Sequence, residues 1–266
     1  MSARQMLART PTALLAFIFA SIVPLPGQDQ SPSVGAGGPI ATDRPAVTNS
    51  SVVVLVGSLQ VENGFLETSS QGQSVLDGPE SLVRFGVATR TELRFTLPDY
   101  FHNLTSTGGS GFGDVAIGVK QQLGPAHGFD VSAILFLSFP TGANGVSSGG
   151  YDPGMQVPWS RAVSTNWTAA GMFSVYWPTQ GRTRNVTGES TFLLDRQLTK
   201  PWDAFVEYAG DFPENGGPRH LLHFGTALKI TEQQQIDFHV GVGLSSAAVD
   251  HLIGIGYSFW FQAIHR

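Results

Sequence analysis

The feature that most constrains this sequence is a period-two alternation of apolar residues with polar residues or glycine. In segment 236–244, IDFHVGVGL, Ile236 and Phe238 alternate with Asp237 and His239. Successive side chains of a β-strand point to opposite faces, so the pattern predicts strands between two different environments. Twelve segments show it: 57–68, 81–87, 91–97, 112–123, 129–139, 151–161, 166–177, 186–197, 202–209, 219–230, 235–244 and 251–261.

The links between these segments alternate in length. Links after even-numbered segments are short, such as 88–90 and 231–234, and links after odd-numbered segments are mostly longer, such as 98–110. Outer-membrane barrels join an even number of strands by short periplasmic turns and longer extracellular loops. We therefore predict an all-β fold, a single up-and-down transmembrane β-barrel of about twelve antiparallel strands over residues 51–266.

A soluble β-sandwich would also show alternation and regular turns, but the polar side of the strands favours a membrane barrel. Charged residues make up only 13% of the chain, against about 25% in soluble domains, and share that side with many glycines. Glycine weakens a solvent-facing strand, whereas a crowded barrel interior tolerates it. The glycines are Gly86, Gly118, Gly225, Gly241, Gly243, Gly254 and Gly256.

The N-terminal residues predict export. Arg4 and Arg9 precede the apolar run 13–23, so residues 1–27 are interpreted as a signal peptide cleaved between about 20 and 28, with an anchoring helix as the alternative. Residues 28–50 are polar and rich in Gly, Pro, Ser and Thr. They predict an extended segment that is either a periplasmic tail or a plug in the lumen. The net charge of −5 leaves no basic stripe for nucleic acid.

Charged residues on the polar side are the candidate functional residues. A twelve-stranded lumen is narrow, and an isolated buried charge is costly, so we predict an interior network of ion pairs. The network would hold the register of the barrel, set the selectivity of a pore, or both. Its candidates are Glu62, Arg84, Glu92, Arg94, Asp114, Lys120, Glu189, Glu207, Asp237 and His239, joined in a plugged barrel by Asp43 and Arg44.

No catalytic or metal-binding set emerges from the sequence. His223 and His239 fall on the lumen side, and no serine stands in an obvious partner position. The spacings of Asp237 with His239 and of His220 with His223 lack a second pair that would complete a metal site. We predict no enzyme, cofactor or metal. A membrane-embedded hydrolase, as in twelve-stranded outer-membrane phospholipases, and a structural barrel without transport remain the alternatives.

Short stretches of the chain, in order, resemble one known family. They include TDRP (42–45), GSLQVENG (57–64), GFGDVAIGVK (111–120) and GIGYSF (254–259). They are similar to the outer-membrane proteins of the phenol-degradation meta-pathway (MetA-like) family, over about residues 42–261. The resemblance implies a channel or transporter for small hydrophobic or aromatic molecules in the outer membrane of a Gram-negative bacterium.

The same resemblance implies two partners, outer-membrane lipid and the outer-membrane assembly machinery, and leaves the solute unknown. The sequence departs from the family at one end. Barrels of this kind usually finish on an aromatic residue that helps assembly recognition, whereas residues 262–266 extend past Phe261 here.

Overall fold

The computed structural model describes residues 39–105 and 110–264. The predicted signal peptide lies outside the described residues, as do residues 28–38 of the N-terminal segment. The described residues form seventeen strands: β1 (Ser58–Ser70), β2 (Gln73–Gly78), β3 (Leu82–Ala88), β4 (Thr91–Thr96), β5 (Tyr100–Asn103), β6 (Gly111–Phe112), β7 (Val115–Gln122), β8 (Asp130–Phe139), β9 (Asp152–Ser164), β10 (Trp167–Tyr176), β11 (Thr179–Gln180), β12 (Thr183–Arg184), β13 (Thr187–Thr199), β14 (Trp202–Pro213), β15 (Arg219–Thr231), β16 (Gln234–Gly243) and β17 (His251–Gln262). Across these ranges, we find no helix with the length and apolar character needed to cross a membrane.

Twelve of these strands form a closed antiparallel barrel, as predicted. Their order is β1, β3, β4, β7, β8, β9, β10, β13, β14, β15, β16 and β17, and β17 pairs with β1 to close the wall. The closing register places Ser58 opposite Gln262 and Ser69 opposite His251. Both ends of the barrel sequence therefore lie on the side of the short turns, which fits an up-and-down barrel with an even number of strands.

The five remaining strands lie in three of the long links, which were predicted as plain loops. The second half of β1 pairs with β2, which continues through β5 to β6. A two-residue hairpin, β11 with β12, lies in the link before β13. Four of these strands have only two to four residues, too few for the period-two pattern to be visible in the sequence, whereas the six-residue β2 is as long as β4 and was missed.

The two faces of the wall follow the predicted phase. On β16, Phe238 is 47% exposed and Val242 45% exposed, whereas Asp237 is 3% exposed and His239 6% exposed. The outer surface is thus apolar, and the polar side chains point into the lumen. Such a surface suits lipid, because outer-membrane barrels present an outward-facing apolar band to the hydrocarbon core of the membrane.

Candidate functional site in the barrel lumen

The segment of residues 39–57, named the lumen segment below, lies inside the barrel. Its residues Asp43 and Thr48 are each 6% exposed. Nitrogens of the segment donate hydrogen bonds to four separate wall strands: Asp43 to Glu62 of β1 (2.9 Å), Val54 to Glu92 of β4 (2.8 Å), Asn49 to Gln156 of β9 (2.9 Å) and Thr48 to Glu207 of β14 (2.7 Å). Contacts on strands around the circumference show that the segment crosses the lumen.

Asp43 is the acidic group that the lumen segment contributes. Its carboxylate lies 2.5 Å from Nη2 of Arg94, 3.3 Å from Nζ of Lys120 and 3.5 Å from Nη1 of Arg84. Burial by itself would raise the pKa of Asp43, but the three positive charges outweigh burial and hold that pKa well below its usual value. Asp43 is therefore a charged anchor for the segment.

Arg84 organises the wall side of this network. Its guanidinium contacts Oε1 of Glu92 at 2.9 Å and Oε1 of Glu62 at 3.0 Å. Arg94 donates to the same Glu92 at 2.9 Å, and Lys120 lies 3.7 Å from it. Together with Asp43, the network holds three acids and three bases, so its formal charge is zero. Balanced pairing of this kind is what makes a buried cluster of charges tolerable.

Arg44, the residue after Asp43, forms a second anchor of the lumen segment. Its guanidinium contacts Glu80 at 2.5 Å and Asp237 at 3.3 Å, and Nη2 lies 3.5 Å from Nε2 of His239. Burial alone would lower the pKa of Arg44, but the carboxylates of Asp237 and Glu80 raise it above its usual value. Arg44 is a permanent cation in this site.

Glycines of the wall make the room for Arg44. A Cβ added at Gly64 of β1 would collide with the Arg44 guanidinium, and a Cβ at Gly256 of β17 would approach both Arg44 and Asp237. A Cβ at Gly86 would collide with the backbone carbonyl of Leu55. Gly86 and Gly256, two of the seven glycines noted on the polar side of the strands, thus shape a cradle for the lumen segment together with Gly64, which is not one of the seven.

Glu207 holds the next stretch of the segment. Its two carboxylate oxygens accept hydrogen bonds from the backbone amides of Val47 (2.9 Å) and Thr48 (2.7 Å). Nδ1 of His223 lies 2.8 Å from the same carboxylate, and Nε2 of His223 lies 2.9 Å from Nδ1 of His239. Since His239 also approaches Arg44, the two histidines link the Glu207 anchor to the Arg44 anchor.

Two predicted residues lie outside this network. Asp114 precedes β7 rather than lying within a lumen-facing strand, and it accepts hydrogen bonds from the backbone of Gly142 (2.9 Å) and Ser148 (3.0 Å), so it orders the loop after β8. Glu189 does face the lumen, but it accepts from Ser174 (2.9 Å) and Tyr176 (2.8 Å) nearer the long loops.

Two other residues belong to the network and were missed as candidates. Glu80 precedes β3 and shows no strand periodicity in the sequence. His223 was placed on the lumen side, yet its role depends on the register that sets it opposite Glu207. Among the described residues, no group of three or more His, Asp or Glu side chains is placed to hold a metal ion.

Cavities lie on both sides of the lumen segment. The inner cavity, of about 360 Å³, is lined by segment residues 40–46 and 48–52 and by wall residues near the short turns, including Asp195, Asp203 and Lys229. Two adjoining outer cavities, of about 310 and 400 Å³, share Glu189, Asp211 and Arg219 near the long loops. Val47 lines one of the outer cavities, so the lumen segment borders both the inner space and the outer space.

Solved structures share this architecture. An outer membrane channel from Pseudomonas putida F1 superimposes with a TM-score of 0.63 at 11% identity, covering 79% of this chain and 97% of that chain. The NanC porin matches with a TM-score of 0.55 at 12% identity, covering 76% and 98%. The KdgM porin matches with a TM-score of 0.53 at 10% identity, covering 77% and 99%. The fold is therefore that of an outer-membrane barrel.

The sequence itself gives the family. No curated protein matches it. A family model described as "Putative MetA-pathway of phenol degradation" matches residues 42–261, a range that takes in both the lumen segment from Thr42 onward and the barrel wall to Phe261. This range covers most of the chain, and the protein belongs to that family.

Proposed function

We propose that the protein is an outer-membrane channel for small molecules and that the lumen segment is a plug that closes it. The observation that carries this proposal is the pair of spaces, one toward the short turns and one toward the long loops, both lined by residues of the lumen segment. A barrel whose lumen is packed with side chains along its whole length would not contain such spaces. Movement of the segment would join them into one path, and no covalent chemistry is needed.

The solute class follows from the lining and from the relatives. The outer cavity of about 310 Å³ is lined by the aromatic Phe136, Tyr176 and Trp177 and by the charged Glu189 and Arg219. Aromatic walls with a few polar groups suit small hydrophobic or aromatic molecules that carry a polar substituent. The family name refers to phenol degradation, which agrees with this class. We propose that the lumen-facing charged residues set selectivity among such solutes.

A reversible cross-link tests the plug. Oγ1 of Thr48 lies 2.5 Å from Oγ1 of Thr191 on β13, and the chain has no native cysteine. In the double variant T48C/T191C, a disulfide would tie the segment to the wall. We expect low single-channel conductance in planar bilayers when the variant is oxidised and a marked rise on reduction. The conductance of the wild type, which lacks cysteine, should not change when the reductant is added.

Three outcomes would count against the proposal. Equal conductance of the oxidised and reduced variant would remove the segment as the closing element. Absence of conductance in both forms, together with no solute uptake into liposomes, would overturn the channel itself. Lipid hydrolysis by the purified barrel, lost in a histidine variant, would instead favour the membrane-embedded hydrolase.

A further inference from the structure

Four groups form a continuous hydrogen-bonded row across the lumen, from Arg44 through His239 and His223 to Glu207. The successive nitrogen and oxygen distances are 3.5 Å, 2.9 Å and 2.8 Å. Both rings are buried, His223 at 1% and His239 at 6% exposure. The row joins two anchors of the lumen segment, since Arg44 belongs to the segment and Glu207 binds the amides of Val47 and Thr48.

The two ends of the row dictate where the protons lie. The Arg44 guanidinium can only donate, so Nε2 of His239 must accept. The Glu207 carboxylate can only accept when charged, so Nδ1 of His223 must donate. The bond between the rings then runs from Nδ1–H of His239 to Nε2 of His223. One arrangement satisfies every contact, and in it both histidines are neutral.

A further proton breaks this arrangement at the Arg44 end. If it binds Nε2 of His239, an N–H group and a positive charge face the guanidinium directly. If it binds Nε2 of His223, that nitrogen no longer accepts, and Nδ1 of His239 can keep a favourable contact only by becoming an acceptor. His239 then carries its own proton on Nε2, again toward Arg44. Either route replaces an attractive contact with one between like donors.

We propose that this histidine pair is an acid-sensitive latch: protonation of the pair repels Arg44, frees the lumen segment and opens the channel. This inference rests on the proposed function, since it names the regulation of the same plug. Histidine is the side chain whose charge ordinarily changes between about pH 5 and 8. A channel built this way passes more solute in acidic surroundings.

The groups around the pair agree with a signal delivered through Arg44. His223 faces Glu207 from β14 and His239 from β16, and the edge of Phe205 packs against it. His239 faces Arg44 from the lumen segment and packs on Gly254 of β17, where a Cβ would strike its ring. Among the described residues, no carboxylate lies in direct contact with His239, so a charge gained on its ring acts on Arg44.

Two carboxylates oppose the release of Arg44. Glu80 and Asp237 both bind the guanidinium, and Oδ2 of Asp237 is buried without a partner in the described part of the chain. Asp237 and His239 lie within 3.5 Å of the same nitrogen, Nη2 of Arg44. A charge gained on His239 therefore lies beside the same Arg44 nitrogen that Asp237 binds. Glu62 accepts hydrogen bonds from the backbone amides of Asp43 and Arg44, so these two bonds must also break before the lumen segment moves.

Single-channel recordings of the full mature protein between about pH 8 and pH 4 test the latch. We expect the open probability of the wild type to rise on acidification by about 5- to 150-fold, the usual range for coupled equilibria. His239→Gln keeps a donor and an acceptor but cannot gain the charge, so its profile should be flat. His223→Gln is a second variant with the same expectation. His251→Gln, at an exposed strand end, should keep the wild-type profile.

Heat-modifiable migration on a gel establishes that each variant is folded before it is recorded. A wild-type profile that is flat, or a rise that persists in both His239→Gln and His223→Gln, would overturn the latch. The double variant D43N/R44Q, in which both charged anchors are lost, separates this failure from failure of the channel. If D43N/R44Q conducts at every pH while the wild type shows no response, the latch is wrong and the plugged channel stands. If D43N/R44Q never conducts, the proposed function itself is overturned.

Discussion

Arg84 and Glu92 form a fully buried bidentate ion pair between neighbouring strands of the barrel. Nε of Arg84 lies 2.9 Å from Oε1 of Glu92, and Nη2 lies 3.0 Å from Oε2. The same guanidinium reaches Glu62 at 3.0 Å and Asp43 at 3.5 Å. One arginine on β3 is thus the common partner of three carboxylates, two from the wall and one from the lumen segment, and it couples barrel stability to the position of the segment.

Replacement of Arg84 by methionine should destabilise the barrel strongly. The variant leaves three buried carboxylates with too few cations, and breaking a buried pair costs about 3–5 kcal/mol. Denaturant unfolding in detergent, followed by gel migration, measures the loss. Arg184→Met is the control, because that side chain is 44% exposed and pairs with Asp152 at 3.4 Å. Exposed pairs contribute about 0–1 kcal/mol. Equal losses in the two variants would contradict a buried network.

The fold and the lumen-facing set could be predicted because both follow from the period-two pattern. Each charged residue of a long strand shows its face by its phase, as Arg84, Lys120 and Asp237 do. Their partners could not be predicted in the same way. The contact between Lys120 and Asp43 joins residues 77 apart and depends on the closure of the whole barrel and on the path of the lumen segment.

Residues outside the strands escape this reasoning for a simple physical reason. Glu80 precedes β3, and its contact with Arg44 is set by the course of an irregular link. Asp114 shows the converse error, since the sequence pattern assigns it to a lumen-facing strand but it binds the backbone of the loop after β8. Irregular backbone has no fixed side-chain period, so local sequence does not reveal where such side chains point.

An arginine on the outer face should be far costlier than one on the inner face. Phe238 lies in the middle of β16 and is 47% exposed on the apolar surface. Phe238→Arg should cost about 2–4 kcal/mol near the bilayer midplane. Ala227→Arg is the comparison, because Ala227 lies opposite Asp237 and lines the inner cavity with Asp195 and Asp203. Unfolding measurements in lipid vesicles should show a larger loss of stability for Phe238→Arg than for Ala227→Arg. The reverse ranking would mean that the faces are assigned the wrong way round.

Asp43→Asn should weaken docking of the lumen segment. The loss in docking free energy should be about the same at every pH in the neutral range. The substitution removes a carboxylate bound by Arg84, Arg94 and Lys120, a loss of about 2–5 kcal/mol for a buried pair. The contacts lower the pKa of Asp43. Its contribution is therefore fully present above the usual carboxyl pKa of about 4 and is lost as pH falls toward the lowered value.

Conductance of Asp43→Asn should accordingly exceed that of the wild type by a constant ratio between about pH 5 and pH 8. In stronger acid the ratio should shrink, as Asp43 of the wild type begins to take up a proton. Paired recordings at each pH measure it. A ratio that already falls between about pH 8 and pH 6 would show that the pKa of Asp43 lies well above its usual value of about 4, contrary to the strong attraction of its three cations.

Gly64→Ala should open the channel without weakening the wall. The added methyl group would collide with the Arg44 guanidinium, and the β1 backbone is held by its pairing with β17, so Arg44 must move. Overpacking of this kind costs about 1–3 kcal/mol, which corresponds to a rise of roughly 5- to 150-fold in the ratio of open to closed channels. Alanine also favours a strand over glycine, so barrel stability should be retained. Gly188→Ala, where a Cβ meets nothing within 4 Å, should conduct like the wild type. If Gly64→Ala conducts no better than Gly188→Ala, the contact between Arg44 and the wall does not hold the segment closed.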